Sequence, residues 1–299
     1  MKNGDRLSGE MITQSGDTIK FKTPYADPFV IRWSEVKELK TEKPVTTLMK
    51  NGGVAEIEIF SEEFIAKNEI DSIKPEPYRL GETWKFRGIA NLALKLERGN
   101  IDSDEYDVDS NITLRDLKNR FTFHGNLEND ERNGDNTADN WEARPEYNRF
   151  LNKRLYTGAL FSTESNKFAD LNRRLGYGPL VGYQFYEEER TNLKGRLATL
   201  FIDEEFNNSP DQDFWAGGWE IDFDYYIIMD VLQFYHRNGG FVNVEDSDKV
   251  YLHAWTGFRW PIYLRLVGSL EYEVEYDSEP SDDAKEHDTA VSMKLGYQW

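Results

Sequence analysis

The most specific fold signal in the sequence is AVSMKLGYQW, residues 290–299. Every second residue in it is apolar, and the last residue is aromatic. The apolar set is Val291, Met293, Leu295, Tyr297 and Trp299. Alternation with a period of two is the pattern of a β-strand that has one apolar and one polar face. A strand that closes on an aromatic residue is typical of the signal recognised by the barrel-assembly machinery, so the stretch predicts the last strand of an outer-membrane β-barrel.

The same alternation runs through most of the preceding sequence. In WKFRGIANLALKL, residues 84–96, one alternate set is apolar and the other carries Lys, Arg and Asn. About twelve such segments follow one another, an even number as expected of bacterial barrels. They lie near residues 84–98, 104–115, 119–129, 139–151, 153–164, 172–187, 191–204, 214–229, 231–244, 249–262, 263–277 and 286–299. The pattern predicts an all-β chain built around an antiparallel transmembrane β-barrel of about twelve strands.

The connections between these segments alternate between long and short. The long ones are polar and are expected outside the cell; they are 129–139, 164–171, 205–213 and 277–287. The short ones are expected on the periplasmic side; they are 116–118, 152, 188–190, 230 and 262–263. This alternation predicts that both ends of the barrel lie on the periplasmic side.

Composition excludes several classes of protein. Helical membrane spans need about 20 consecutive apolar residues, and no such run occurs. A net charge of −19 argues against nucleic-acid binding, and the absence of cysteine excludes disulfides and thiolate metal sites. No motif of a hydrolase, metalloprotease or phosphate-binding loop is present. We therefore expect no enzymatic activity, no cofactor and no metal.

The first part of the sequence has a different pattern. Residues 1–70 contain about five short apolar segments with turn signals such as Asn51-Gly52-Gly53, which predicts a small SH3- or Sm-like β domain in the periplasm. Residues 71–83, with Pro75 and Pro77, are predicted to be a linker, and 84–299 the barrel. No apolar leader is visible at the start, so we expect a mature form with an added Met.

The polar face of the barrel strands is heavily charged. Its acidic members are Glu220, Asp222, Asp224, Glu271, Glu273 and Glu275, and its basic members are Lys194, Arg196, Arg259 and Lys294. Neighbouring antiparallel strands bring such side chains within about 5 Å, so we expect them to pair across the lumen. The alternative is an open aqueous path that prefers cations, because rings of carboxylates attract them. Two inward histidines, His124 and His253, are expected to fill space rather than bind metal.

Several stretches resemble a known family. They are KNGDRLSGE (residues 2–10), FTFHG (121–125) with TADN (137–140), and LGYGPLVGYQF (175–185). They are similar to the salt-induced outer-membrane protein (YdiY-like) family of Gram-negative bacteria, and the resemblance covers nearly the whole chain. It implies a barrel fold and an outer-membrane location, but no activity, because that family is functionally uncharacterised.

Three function classes remain open from the sequence. The first is an outer-membrane barrel with a narrow or largely closed lumen that passes cations or very small solutes. The second is a structural or binding barrel that anchors the periplasmic β domain to the outer membrane. The third is a soluble carbohydrate-binding β-sandwich that stacks sugars on tryptophans. The partners expected of a barrel are outer-membrane lipid, lipopolysaccharide, the barrel-assembly machinery and a periplasmic protein bound through residues 1–70.

Overall fold

The computed structural model describes residues 1–61, 65, 67–97, 103–279 and 285–299 of the chain. Within these residues the extended elements are all β-strands, and the helical elements are four short 3-10 turns. None of the described helical turns has the length and apolar character needed to cross a membrane. The chain divides into two units, Met1–Trp84 with Glu188–Arg190, and Lys85–Glu187 with Thr191–Trp299.

The N-terminal unit is built on a six-stranded sheet. Its strands are β1 (Glu10–Ser15), β2 (Thr18–Thr23), β3 (Ala26–Arg32), β4 (Glu38–Met49), β5 (Val54–Ser61) and β6 (Ile70–Ile73), in the order β3-β2-β1-β6-β4-β5. Ile19, Trp33, Phe60 and Ile73 are among the buried residues of its core. The narrower expectation of an SH3- or Sm-like barrel stays a prediction.

The sheet extends beyond the domain boundary that the sequence suggests at residue 70. Strand β6 lies between β1 and β4, and three of its four residues fall in the segment 71–83 that was expected to be a linker. Four residues are too few to show a convincing alternation, so the strand has no clear sequence signal. Its two isoleucines are nevertheless buried in the core.

The second unit is a closed antiparallel barrel of twelve strands, as predicted. The strands are β7 (Lys85–Glu97), β8 (Ser103–Arg115), β9 (Asn119–Arg132), β10 (Asp135–Phe150), β11 (Leu155–Asn166), β12 (Leu171–Glu187), β13 (Thr191–Phe206), β14 (Gln212–Ile228), β15 (Leu232–Asn243), β16 (Val250–Tyr263), β17 (Leu266–Asp277) and β18 (His287–Gln298). Each strand pairs with the next along the chain, and β18 pairs with β7 to close the ring. This closed ring excludes the β-sandwich architecture.

The two faces of the strands differ as the alternation predicts. Leu197 on β13 is 63% exposed on the outer surface, whereas its neighbour Arg196 is 8% exposed inside. On β7 the outward Leu92 is 47% exposed and the inward Asn91 is 6% exposed. Successive side chains of a strand point to opposite faces, so a closed ring sorts one set outward and the other inward.

One predicted long loop is wrong. The segment 129–139 is not a long connection, because β9 continues to Arg132 and β10 begins at Asp135. Between them, Asn133 and Gly134 both have positive φ, 53° and 88°, which is the geometry of a two-residue type I′ hairpin turn. The strand ends here are polar on both faces, so apolar alternation does not reveal them. Of the predicted loop 277–287, residues 280–284 lie outside the described residues, as does residue 98 of the first predicted strand.

Candidate functional site in the barrel lumen

Ion pairs cross the middle of the lumen. Arg196 on β13 pairs with Glu220 on β14 and also reaches Glu146 on β10, with Nε–Oε2 at 3.3 Å. Arg144 on β10 in turn lies 3.2 Å from Glu220. Two strands separate β10 from β13 and three separate it from β14, so these contacts are chords through the lumen rather than ladder neighbours. We call Arg144, Glu146, Arg196 and Glu220 the central cluster.

A second group of charges lies against the seam between the last and first strands. The ammonium group of Lys294 on β18 is 2.8 Å from Asp107, 3.0 Å from Asp109 and 3.0 Å from Glu271. The lysine side chain is 4% exposed. One buried cation is thus shared among three carboxylates from two other strands, which fixes β8, β17 and β18 relative to one another.

Further inward pairs follow the expected ladder. Lys194 lies 2.8 Å from Asp222, and Arg237 bridges Asp222 at 3.2 Å and Asp224 at 3.5 Å. These residues come from β13, β14 and β15, which are consecutive in the ring. Sequence reasoning predicted this kind of cross-strand pairing, although it did not identify Arg237.

A further cross-link lies near the beginning of β12 and the end of β17. Arg174 on β12 pairs with Glu164, with Glu204 at 2.6 Å and with Asp277 at 3.7 Å. Asp277 is on β17, and four strands lie between β17 and β12 by the shorter route, so this contact joins nearly opposite walls. Lys249 adds a second cation at 2.7 Å from the fully buried Glu204.

Arg259 does not make the ion pair that the sequence predicts. In the described part of the chain it has no carboxylate partner; its guanidinium donates to Gln233 at 3.2 Å and stacks on the ring of Tyr235 at 4.6 Å. The Tyr235 hydroxyl donates to Glu271 at 2.9 Å. Tyr235 therefore stands between the arginine and the carboxylate that we expected to meet, and a π-face replaces the anion.

The remaining predicted acidic residues bind neutral or weakly basic groups. Glu273 pairs with His253, and Glu275 accepts a hydrogen bond from the Tyr251 hydroxyl at 3.1 Å. His124 lies on the opposite wall, 3.6 Å from Glu142. Both histidines face Trp255, whose ring centroid is 5.8 Å from that of His124 and 3.8 Å from that of His253. Trp255 thus bridges β16 and β9 across the lumen.

Apolar side chains fill part of the lumen, which the sequence analysis missed. The inward apolar cluster comprises Phe150, Tyr156, Leu160, Leu180, Leu200, Ile202, Phe214, Ala216 and Phe241. Tyr156 is 0% exposed, and its ring occupies the space above Gly182 on the next strand. Alternation assigns every large apolar residue to the lipid face, so it does not identify the apolar residues that point inward. The glycines at 176, 178 and 182 were the signal in the sequence that another side chain packs closely there.

Little free space remains at the level of the central cluster. The two cavities lined by its residues have volumes of about 50 and 80 Å³, room for a few waters at roughly 10–15 Å³ each. A cavity of about 140 Å³ lies beside the β15–β16 and β17–β18 connections. Its walls carry the acidic residues Glu128, Glu142, Glu164, Glu204, Glu273, Glu275, Asp277, Glu279, Glu286 and Asp288, and the basic residues Arg174, Lys249 and Lys285. We call this carboxylate-rich cavity the outer vestibule.

The residues of the C-terminal pattern lie on the outer surface of the barrel. Val291, Met293, Leu295 and Tyr297 are all exposed there. Trp299 exchanges two backbone hydrogen bonds with Gly88 on β7, at 3.0 and 3.1 Å. Its ring covers Gly88 where any larger side chain would collide with it. The aromatic end of the chain therefore fastens the last strand to the first.

The sequence of the barrel unit matches a family profile. The family is described as "Protein of unknown function, DUF481", and the match covers residues 90–299. The chain belongs to the DUF481 family. This agrees with the resemblance to an uncharacterised family found in the sequence. None of the curated protein sequences matches the chain.

Solved structures of barrels resemble this DUF481 protein. A NanC porin structure is 10% identical, with coverage of 70% of this chain and 97% of the porin and a TM-score of 0.43. The outer-membrane channel DcaP of Acinetobacter baumannii is 10% identical, with coverage of 72% and 97% and a TM-score of 0.36. The translocator domain of the autotransporter NalP from Neisseria meningitidis is 13% identical, with coverage of 72% and 88% and a TM-score of 0.38.

Proposed function

We propose that the protein is a non-enzymatic outer-membrane barrel whose lumen is closed to solutes larger than small ions and prefers cations. The observation that carries the proposal is the central cluster, in which Arg196 and Arg144 cross the lumen to Glu146 and Glu220. The two cavities at that level have volumes of only about 50 and 80 Å³.

The outer surface supports a place in a membrane. Outward residues such as Leu197, Ile221 and Leu270 are exposed and apolar around the ring. Outside the β7–β18 junction, each strand pairs with both of its neighbours, so the ring satisfies most of its backbone hydrogen bonds internally, as strands that cross lipid must. Aromatic residues near strand ends, such as Trp215 and Tyr263, are placed as in the girdles of membrane barrels.

Closure of the lumen follows from charge and packing together. Leaving a guanidinium unpaired in a dry lumen costs several kcal/mol, so the ion pairs of the central cluster are unfavourable to break. The same ion pairs lie across the lumen and block passage. The inward aromatic and aliphatic cluster fills the neighbouring space. A sugar or amino acid has no route past these side chains without breaking several ion pairs at once.

The orientation proposed here places the tight turns and the N-terminal unit in the periplasm. Asp248, in the connection after β15, would then lie outside the cell and Lys118, in the turn after β8, inside. The acidic outer vestibule would face lipopolysaccharide and its divalent cations, and the C-terminal strand would be the substrate of the barrel-assembly machinery. The second function, an anchor for a periplasmic β domain, is compatible with a closed lumen.

Two measurements test this proposal. Single cysteines replace Asp248 and Lys118 in a chain that has none of its own. A membrane-impermeant maleimide should label Asp248→Cys on intact cells, and should label Lys118→Cys only after the outer membrane is permeabilised. Proteoliposomes should then resist swelling in isotonic arabinose; rapid swelling, or labelling with the reverse sidedness, would contradict the proposal.

A further inference from the structure

The ring is incompletely closed at one place. Strand β7 pairs with β8 from Lys85↔Arg115 to Glu97↔Ser103, and β18 pairs with β17 from Leu266↔Tyr297 to Tyr276↔His287. Between β7 and β18, however, the ladder has only four pairs, from Ile89↔Gln298 to Leu92↔Leu295, followed by the two backbone hydrogen bonds between Gly88 and Trp299. We call this junction the seam.

Beyond Leu92 and Leu295 the two strand edges face each other without pairing. Among the described residues, no ladder pair joins 93–97 of β7 to 287–294 of β18. Val291 and Met293 are each 71% exposed there, against 42% for the outward Leu270 on the neighbouring strand. Unpaired strand edges are costly in hydrocarbon because lipid offers no hydrogen-bond partners, so a polar occupant or water must satisfy them.

A cavity of about 560 Å³ opens at this gap. Small-molecule sites typically have volumes of about 300–1,000 Å³. At the seam its walls are apolar and include Leu94, Tyr106, Val291 and Met293. Deeper in, its walls are the carboxylates Glu105, Asp107, Glu128, Asp130, Glu273, Glu275 and Asp288, and its described lining contains no Lys, Arg or His. The cavity is thus apolar on its lipid side and strongly negative on its lumen side.

Two acceptors in the wall lack donors. Asp107 Oδ1 and Asn126 Oδ1 are buried and accept no hydrogen bond within the described part of the chain. Lys294 satisfies only the other oxygen of Asp107, at 2.8 Å. Acceptors without donors beside excess negative charge suit a cation that carries N–H groups, because an ammonium offers three donors.

We propose that the seam is a side entrance that binds amphipathic primary amines from the outer leaflet. The alkyl chain would lie along Leu94, Tyr106, Val291 and Met293, and the ammonium group would donate to Asp107 and Asn126 within the ring of carboxylates. The proposal rests on the membrane location proposed above, but not on the closure of the central lumen, because the cavity is reached through the wall.

The test measures binding of radiolabelled dodecylamine to the full chain in nanodiscs. Binding should saturate at one site, and Glu128→Gln with Asp130→Asn should weaken it at least about tenfold, because two negative charges that attract the ammonium group are lost. Asp203→Asn, a carboxylate removed outside the cavity lining, should leave it unchanged. Dodecyltrimethylammonium, which has the charge but no N–H donor, should compete poorly. Equal binding by all variants, or equal competition by the trimethyl compound, would overturn the site.

A second arm tests the route of entry. Leu94→Cys with Met293→Cys, joined by a short bismaleimide, spans the unpaired edges and should abolish dodecylamine binding. The same linker between cysteines at 92 and 295, where the ladder is already paired, should have no effect. Full binding when the cysteines at 94 and 293 are cross-linked would mean that the amine enters through the lumen mouth, which would overturn the side entrance. Sugar permeation would refute the closed lumen but not the amine site. If the barrel excludes sugars and binds no amine, the amine site is refuted and the closed lumen is not.

Discussion

Arg196 on β13 lies 3.3 Å from Glu146 on β10, although two whole strands separate them in the barrel wall. A contact of this kind is possible only if long side chains meet inside the ring. The same arginine also pairs with Glu220, and Arg144 comes to that glutamate from the other side. The middle of the barrel is therefore a layer of charged side chains that cross-link its walls.

Replacing Lys294 should cost far more stability than replacing Arg259. Lys294→Met leaves Asp107, Asp109 and Glu271 facing one another without a cation, which should lower the free energy of unfolding by about 3–5 kcal/mol. Arg259→Met removes one hydrogen bond and one cation–π contact and should cost less than about 2 kcal/mol. Urea unfolding followed by the heat-modifiable shift on gels measures both; equal losses would contradict the assigned partners.

An arginine on the outer surface should be far more harmful than one in the outer vestibule. Leu270→Arg puts a charge on the apolar exterior and should destabilise the barrel by about 2–4 kcal/mol. Asn126→Arg instead points into a cavity lined by carboxylates and should be nearly neutral. Ser269, the inward neighbour of Leu270, is not a usable control because it is 1% exposed and has no room for a larger side chain. Similar unfolding free energies for the two arginine variants would mean that the faces are assigned wrongly.

The sequence reveals the strands and their faces because each depends on local alternation alone. The inward positions of Tyr156 and Phe241 could not be predicted in this way, because an inward apolar residue has the same pattern as a lipid-facing one. Contacts such as Arg174 to Asp277 depend on which residues a closed ring brings opposite each other, and this requires the register of all the intervening strands. Arg259 was predicted to pair with an acidic residue on a neighbouring strand, but the ring of Tyr235 lies against its guanidinium instead.

The turn after β8 should make a pH-dependent contribution to stability. Burial alone would raise the pKa of Asp116, but hydrogen bonds from the Asn119 side chain and from the Asn119 and Lys118 amides lower it below its usual value of 3.8. A carboxyl whose folded-state pKa is depressed stabilises the fold above its unfolded pKa, and this contribution disappears as pH falls through the folded value. Asp116→Ala should therefore cost about 1 kcal/mol at pH 7 and progressively less below pH 3.8. Chemical unfolding at pH 7 and pH 3 measures the difference, and a cost that does not change with pH would contradict the assignment.

Gly88 should be intolerant of side chains because of Trp299. A Cβ at position 88 would lie 2.5 Å from the indole ring, so Gly88→Ala must displace the ring or break the two backbone bonds that fasten β18 to β7. We expect slower assembly and loss of the heat-resistant form on gels. Trp299→Phe should partly restore Gly88→Ala by freeing space at the ring. If Gly88→Ala alone shows the same heat-modifiable gel shift as the unmodified protein, the proposed role of Trp299 in joining β18 to β7 is contradicted.

Planar-bilayer recording of the purified protein measures directly whether the lumen is closed. The unmodified barrel should show little or no conductance, with any residual current carried by cations and its selectivity reduced at 1 M salt, where the screening length is about 3 Å. Replacing Arg144 and Arg196 with alanine should remove the crossing side chains and open measurable, cation-selective steps. Large, stable and weakly selective conductance from the unmodified protein would show that the lumen is open and that the central cluster does not close it.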